Sequence, residues 1–251
     1  MTAVRIEEVT RQFGGVAALA AVSLTVQKGE RTALIGPNGA GKTTLLNVLH
    51  GQLSVTSGRI YLFGREVTST PTHARTALGM GRSYQINSLF GGLSVFDNTL
   101  LAVQAVRAER LNMWHPQLAH GEAIAAAQVL LEEWGLWEQG GELVQTLSHG
   151  SQRRLEIALS LASEPKVLLL DEPTAGLTME ESRDITARID GLDPEMAVVF
   201  VAHDMDLVFS VARRIVVLHY GEVLADGTPT EVSANRVVQE IYMGHGEVDG
   251  Q

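Results

Sequence analysis

Apolar and polar positions alternate along the first thirty residues, which is the spacing of half-buried β-strands. The two alternating series are Val4, Ile6 and Val9, followed by Val22, Leu24 and Val26. Residues 27–30 have the composition of a turn, and residues 32–35 continue as a short β-prone run. The pattern predicts antiparallel strands at the edge of a sheet and then a further strand. The sequence of residues 60–64 predicts one more strand.

Two later stretches are apolar without alternation, as expected for strands that are buried on both faces of a parallel sheet. They are residues 167–170 and 197–202. Asp171 and Glu172 follow the first stretch, and His203 follows the second. Because ligands of open α/β sheets bind beyond the carboxyl ends of the strands, these polar residues are candidates for a site.

The pattern of residues 93–137 lacks strand alternation and predicts helices. Two helix faces are indicated by apolar residues that recur every three or four positions: Ile124, Ala127, Leu131 and Trp134, then Leu155, Ala158, Leu159 and Ala162. Ser94 with Asp97, and Thr228 with Glu231, have the spacing of capping boxes at helix starts. The alternation of helical and strand patterns predicts an α/β protein.

Composition narrows the classes of function. The 251 residues are 45% hydrophobic, which is enough for one large α/β domain. The longest apolar runs are far shorter than the roughly 18 residues that a membrane-spanning helix needs. The first residues contain no apolar signal core and the sequence has no cysteine, so we expect a cytoplasmic protein. A net charge of -10 disfavours binding to nucleic acid or to an anionic membrane surface.

One glycine-rich stretch fits the phosphate-binding pattern of two glycines spaced by four residues and followed by Lys and Thr. It consists of Gly36, Pro37, Asn38, Gly39, Ala40, Gly41, Lys42, Thr43 and Thr44. The stretch follows a predicted strand and opens a predicted helix, so its backbone N–H groups would face an anion. Lys42 would reach the outer phosphates and the Thr43 hydroxyl would bind Mg²⁺. The alternative, a Gly-rich turn that merely connects strand and helix, leaves the Lys-Thr pair unexplained.

Each remaining candidate also has a structural interpretation. Asp171 and Glu172 are costly to bury unless a cation such as a Mg-nucleotide meets them, although they could be a solvated strand end. Phe13 lies beside glycines and could stack on a nucleobase or could cap the core. On structural grounds alone Ser148 is a helix N-cap and Gln85 a loop amide. The histidines lack the accompanying residues of a zinc site, and no Gly-x-Ser-x-Gly elbow is present.

Taken together, the motifs resemble those of the ATP-binding subunit of an ABC transporter, and the likeness runs over nearly the whole chain. In the order of that family they are the adenine-stacking Phe13, the Walker A stretch of residues 36–43, the Q-loop Gln85, the signature of residues 148–152, the Walker B stretch of residues 167–172 and the switch His203.

The resemblance implies a P-loop NTPase core with a mostly parallel sheet, an antiparallel β edge subdomain and an inserted α-helical subdomain. Residues 1–85 and 163–244 would form the core with the antiparallel subdomain. Residues 86–162 would form the helical subdomain that carries the signature, and residues 245–251 a loose tail.

The resemblance also implies a role for each site residue. The group that would bind ATP consists of Phe13, residues 36–44, and Ser148, Gly150 and Ser151 of a second subunit. Thr43, Gln85 and Asp171 would hold Mg²⁺. Glu172 would polarise the attacking water, while Gln85 and His203 would sense the γ-phosphate.

Within the family, residues 13–19, 153–158 and 203–208 look most like the ATPases of branched-chain amino acid importers, with urea and amide importers nearby. The expected partners are integral-membrane permease subunits, a second ATPase subunit that is either a copy or a paralogue, and indirectly a substrate-binding protein. The chain would then lie on the inner face of the plasma membrane. One alternative is an ATPase of a lipid or lipopolysaccharide exporter.

A second alternative is an ABC ATPase that acts on DNA, but such proteins need a long coiled coil where this chain has only about sixty residues between Gln85 and Ser148.

Three positions depart from the family pattern. His149 stands where glycine is usual, Ser151 where glutamine is usual and Thr178 where aspartate is usual. We expect contact of Ser148 and Gly150 with nucleotide to survive these changes. We expect the coupling across the dimer that is attributed to the aspartate to be altered.

Overall fold

Two β-sheets organise the chain in the computed structural model, which describes residues 1–83, 89–107 and 116–243. The strands are β1 Thr2–Phe13, β2 Val16–Gln27, β3 Arg31–Ile35, β4 Ser57–Leu62, β5 Arg65–Glu66, β6 Met80–Arg82, β7 Val167–Asp171, β8 Ala197–Val201, β9 Arg214–His219 and β10 Glu222–Gly227. The helices are α1 Lys42–His50, α2 Thr72–Ala77, α3 Val95–Arg107, α4 Pro116–Glu133, α5 His149–Leu161, α6 Met179–Asp190, α7 Met205–Val211, α8 Pro229–Ser233 and α9 Arg236–Met243.

The larger sheet has six strands in the order β10-β9-β3-β8-β7-β6. All neighbouring pairs are parallel except β10 with β9. Every residue of β3 and β8 is buried, as is β7 up to Leu170, because apolar side chains cover both faces of the sheet. The predicted mostly parallel α/β core is therefore confirmed.

The smaller sheet is antiparallel, in the order β2-β1-β4-β5. Its apolar face, α1 and one face of the larger sheet form a single hydrophobic cluster. The strands predicted for an edge thus form a separate sheet, and α1 lies between this sheet and the larger one. The spacing of three residues between Ile6 and Val9 reflects a register shift in β1, where Glu8 has a φ of 48°.

The opposite face of the larger sheet is covered by helices. One hydrophobic cluster joins Phe200 of β8 to Leu155 of α5, Ile185 of α6 and Trp134, which follows α4. The apolar core of the sheet thus continues into the helices between β6 and β7.

The buried face of α4 and the residue that follows it has Ala123 in place of the predicted Ile124, and it also includes Leu130. It consists of Ala123, Ala127, Leu130, Leu131 and Trp134. Ile124 is 37% exposed, because it lies about 100° around the helix from Ala123. At the start of α3 the Ser94 hydroxyl accepts the Asp97 backbone N–H at 3.0 Å, as predicted for an N-cap. The Asp97 carboxylate accepts the Ser94 hydroxyl.

Four short elements, β5, β6, α2 and α7, have no counterpart among the predicted ones. The predicted boundary between residues 85 and 86 and the tail at 245–251 lie outside the described residues. Within the described ranges, no helix is long and apolar enough to span a bilayer.

Candidate nucleotide-binding site

The glycine-rich loop joins the end of β3 to the start of α1, as predicted. Gly36 and Gly41 have φ values of 148° and 104°. A Cβ atom at Gly36 would lie 2.1 Å from the Leu218 carbonyl oxygen, and one at Gly41 would lie 2.5 Å from that of Ala18. Both positions therefore require glycine. The loop is held against the protein at these two points while Asn38 and Gly39 between them are exposed.

The side chain of Lys42 folds back over this loop. Its Nζ donates to the carbonyl oxygen of Gly36 at 2.6 Å and to that of Pro37 at 2.9 Å. Burial lowers the pKa of Lys42, while Glu172 and Asp171 oppose that shift by favouring the charged form. The ammonium group thus lies where the phosphate loop faces the two strand-end carboxylates.

Asp171 is the last residue of β7, and its carboxylate contacts the next strand of the sheet. Its Oδ2 lies 3.4 Å from Nη2 of Arg82 at the end of β6. Burial raises the pKa of Asp171, and Arg82 is the largest influence against that rise. The carboxylate is therefore part of a charged cluster with Lys42 and Arg82 at the carboxyl ends of parallel strands.

Glu172 and His203 come together as their strand-end positions predict. The His203 Nε2 is 3.0 Å from Oε1 of Glu172, and both side chains are more than two-fifths exposed. Glu172 has a φ of 48°, which is uncommon for a residue with a side chain. This backbone turns its carboxylate towards His203 and solvent, where it could act on a water molecule.

The residues in this cluster suit Mg²⁺. The Asp171 carboxylate and the exposed Thr43 hydroxyl supply the hard oxygen ligands that this ion prefers. Over the parts of the chain that the structure describes, no group of three or more His, Asp or Glu side chains could hold a metal ion. One carboxylate and one hydroxyl are enough for Mg²⁺ in nucleotide sites, where the ion takes its other ligands from the phosphates and water.

Ser148 is the N-cap of α5. Its hydroxyl accepts the backbone N–H of Ser151 at 3.1 Å, so the capping interpretation holds in the isolated chain. The Ser151 side chain is buried and its hydroxyl lies 3.1 Å from Oε1 of Gln139. The Ser151 hydroxyl also accepts the Ser148 hydroxyl at 3.2 Å, so it lies beneath the exposed helix end that Ser148 caps.

Gly150 packs against α6. A Cβ atom there would lie 2.3 Å from Oε1 of Glu181. The pKa of Glu181 is lowered by hydrogen bonds from Thr178 and, to a smaller extent, by one from the Gly150 backbone. Thr178 is itself the N-cap of α6, in a capping box with Glu181. The threonine that departs from the family pattern therefore has a structural role.

Phe13 lies at the end of β1, beside the two-glycine turn to β2. The residue is 46% exposed, so it does not cap the core. The Arg11 guanidinium lies 4.6 Å from the ring centroid. Gln85, the predicted Q-loop residue, lies outside the described residues.

Two buried arginines at the site were missed by the sequence analysis. Arg82 contacts Asp171, and Arg153 of α5 donates to backbone carbonyls of the Walker B segment. The spacing of Arg153 from Glu156 is a weak sign of an ion pair on one helix face, and nothing in a single sequence shows that the pair is buried.

Comparison with known proteins agrees with this geometry. The ABC transporter family model matches residues 19–175. A second model, for the branched-chain amino acid ATP-binding cassette transporter, matches residues 222–248. The high-affinity branched-chain amino acid transport ATP-binding protein BraF of Pseudomonas aeruginosa is 37% identical over 246 residues, with 95% of this chain and 96% of BraF covered. The lipopolysaccharide export system ATP-binding protein LptB of Escherichia coli is 34% identical, with 97% and 98% covered.

Solved structures show the same fold. The ADP conformation of MJ1267, an ATP-binding cassette of an ABC transporter, has a TM-score of 0.86 and 29% identity, and the match covers 97% of this chain and 99% of that one. The dimeric post-hydrolysis state of the cassette MJ0796, bound to ADP and phosphate, has a TM-score of 0.77 and 25% identity, with 90% and 98% covered. The phosphate loop, the strand-end carboxylates and these likenesses together show that the chain belongs to the ABC transporter ATP-binding family, whose members are ATPases coupled to transport.

Proposed function

We propose that this chain is the ATP-hydrolysing subunit of an importer for branched-chain amino acids, or for other amino acids, urea or amides. The observation that carries the proposal is the match of residues 222–248 to the branched-chain amino acid cassette model. The likeness to BraF over nearly the full length of both chains supports it. The cargo would be selected by the permease and a substrate-binding protein rather than by this subunit.

In this proposal ATP binds across the loop of residues 36–44, with its phosphates against the loop N–H groups and the N-terminus of α1. Lys42 leaves its carbonyl partners to contact the outer phosphates. Mg²⁺, held by Thr43, Asp171 and Gln85, would neutralise charge on the phosphate oxygens. Phe13 stacks on the adenine.

Glu172 acts as the base that takes a proton from the attacking water, and His203 senses the γ-phosphate. The 3.0 Å contact between the two side chains supports this pairing, because a base and its orienting group must lie within hydrogen-bond reach. The leaving ADP oxygen would be stabilised by the charge of Lys42.

A second subunit completes each site. Ser148 and Gly150 are at the N-terminus of α5, and such a helix end attracts anions. The dimeric cassette MJ0796 with ADP and phosphate supports the same arrangement here, with the partner either a copy or a paralogue. The dimer would sit on the inner face of the plasma membrane through its permease subunits.

The exporter alternative rests on the 34% identity to LptB. The two functions differ in the direction of transport and in the chemistry of the cargo, so identifying the membrane partners distinguishes them.

The test is to purify the tagged chain with its membrane partners and its substrate-binding protein, reconstitute them in vesicles with ATP at the ATPase side, and follow labelled leucine. We expect ATP-dependent leucine transport, lost in Lys42→Ala and retained in Lys28→Ala, which removes an exposed lysine paired with Glu195. Failure to transport leucine, other amino acids, urea or amides, together with release of lipopolysaccharide from the vesicles, would establish the exporter instead.

A further inference from the structure

Arg153 is a buried arginine whose guanidinium donates hydrogen bonds to the backbone at the end of β7 and just after it. It is 6% exposed. Its Nε donates to the carbonyl oxygen of Pro173 at 2.9 Å, and its Nη2 donates to that of Asp171 at 2.7 Å and also to that of Glu172. Its Nη1 is paired with the buried carboxylate of Glu156. Three consecutive carbonyl groups thus share one cation.

These carbonyls surround the backbone of Glu172, which has the left-handed φ of 48°. A residue with a Cβ atom rarely adopts this conformation, which persists only where its surroundings hold it. The Glu172 N–H donates to the Val201 carbonyl at 2.9 Å, and its carbonyl accepts the Ala175 N–H at 3.1 Å. Arg153 contributes the only side-chain hydrogen bond to this backbone that the described residues provide.

We infer that Arg153 is a positioning residue for hydrolysis: it holds Glu172 in the left-handed conformation that aims the carboxylate at the attacking water. This inference rests on the proposed role of Glu172 as the base. Arg153 touches no reacting atom. Its effect comes from a planar guanidinium that can bond several carbonyls at once, which a lysine ammonium cannot reproduce in the same geometry.

Arg31 provides a matched control. It is also 6% exposed, and it donates to the carbonyl groups of Leu192, Asp193 and Met196. Arg31 lies at the start of β3, whereas the phosphate loop follows the end of that strand. Arg31→Lys therefore removes an equivalent set of hydrogen bonds from a buried guanidinium to backbone carbonyls, at a place remote from Glu172.

The first measurement is the backbone conformation of Glu172, from its Cα and Cβ chemical shifts in the labelled protein without nucleotide. The wild type and Arg31→Lys should show shifts of a residue with positive φ. Arg153→Lys should move them towards those of an ordinary extended or helical residue. Unchanged Glu172 shifts in Arg153→Lys would overturn the inference, whatever the activity of the protein.

The second measurement is steady-state ATP hydrolysis. Arg153→Lys should lower kcat at least about tenfold, since small displacements of a catalytic group have effects of this size, while KM for ATP stays within about twofold. Arg31→Lys should leave kcat within about twofold. Equal kcat in the wild type and Arg153→Lys would also overturn the inference. Normal hydrolysis by Glu172→Gln would instead overturn the proposed role of Glu172 itself.

If Arg153→Lys does not fold, Glu156→Gln takes its place in both measurements, because it removes the charge that orients the guanidinium while keeping the side-chain volume. The same changes in direction are expected. Their absence in this variant would count against the inference in the same way.

Discussion

At the scale of single residues, buried cations set the geometry of the site. Lys42 bonds two loop carbonyls, Arg82 contacts Asp171, and Arg153 bonds three carbonyls around Glu172. Lys42 could be predicted because a motif fixes its offset from the glycines. The two arginines could not, because the periodicity of apolar residues does not show which charged side chains fold inward.

His50, at the end of α1, is a further buried titratable residue. Burial is the largest cause that lowers its pKa from 6.5 to about 4, and the nearby Arg82 and Arg75 lower it further. The unfolded chain then binds a proton in a range of pH where the native protein does not. The contribution of neutral His50 to the free energy of unfolding is therefore fully present above pH 6.5, and it is lost as the pH decreases towards 4.

We predict that His50 alone removes about 2 kcal/mol of the free energy of unfolding between pH 7.5 and pH 5, from about 1.4 kcal/mol per pH unit below its unfolded pKa. The measurement is urea unfolding at several pH values. His50→Gln should reduce the loss over this range by about that amount, even if its stability at pH 7.5 is lower. If the free energy of unfolding depended on pH in the same way in both proteins, His50 would bind a proton as readily in the native state as in the unfolded chain.

At the scale of elements, the strands and helices with strong patterns were predicted and the short ones were not. β8 throughout and β7 up to Leu170 are apolar and buried, so their sequences alone indicate a parallel core. β6 has three residues and α2 has six, too few for a periodicity to develop. The separation of the antiparallel strands into their own sheet depends on contacts with α1, which no local pattern contains.

Two capping boxes among the residues that the structure describes allow a matched prediction. Thr178 caps α6 and Thr228 caps α8, each with a glutamate three residues later. Each hydroxyl accepts a backbone N–H at the start of its helix. Thr178→Ala and Thr228→Ala should therefore each lower the free energy of unfolding by about 1 kcal/mol, the usual effect of losing a threonine cap.

Thermal unfolding tests this pair, with an expected decrease in Tm of about 2–4 °C for each variant in a chain of this size. Thr178→Ser and Thr228→Ser are the controls, since serine keeps the capping oxygen. A Thr178→Ala protein as stable as the wild type would mean that the capping box of α6 does not stabilise the native state.

At the scale of the whole molecule, α5 connects the proposed contact with a second subunit to the backbone of the proposed catalytic base. Its N-terminus carries Ser148 and Gly150, which would meet the nucleotide of a second subunit, and Arg153 on the same helix bonds the backbone of Glu172. The departures from the family pattern have local partners: the His149 ring lies 3.3 Å from where a Cβ atom of Gly176 would be, and Thr178 caps α6.

Glu172→Gln gives the most direct test of the assembled site, because glutamine keeps the shape of the side chain and loses its charge. This variant should bind Mg-ATP but hydrolyse it at least about a hundredfold more slowly, the usual effect of removing a general base. ATP that persists would stabilise the closed dimer by mass action, since each nucleotide binds both subunits only in that state. Light scattering should then show a shift from monomer to dimer when Mg-ATP is added.

The control is the double variant Lys42→Ala with Glu172→Gln, which should stay monomeric because it cannot hold the outer phosphates. Near-normal hydrolysis by Glu172→Gln would remove this residue from the catalytic role. Slow hydrolysis without a dimer would keep that role and would indicate either that a paralogous subunit supplies the second signature or that His149, Ser151 and Thr178 weaken the signature of this chain. In the first case mixing the variant with the co-purified partner subunit and Mg-ATP should restore the dimer, since the residues at 148 and 150 of this chain would then face the partner's nucleotide.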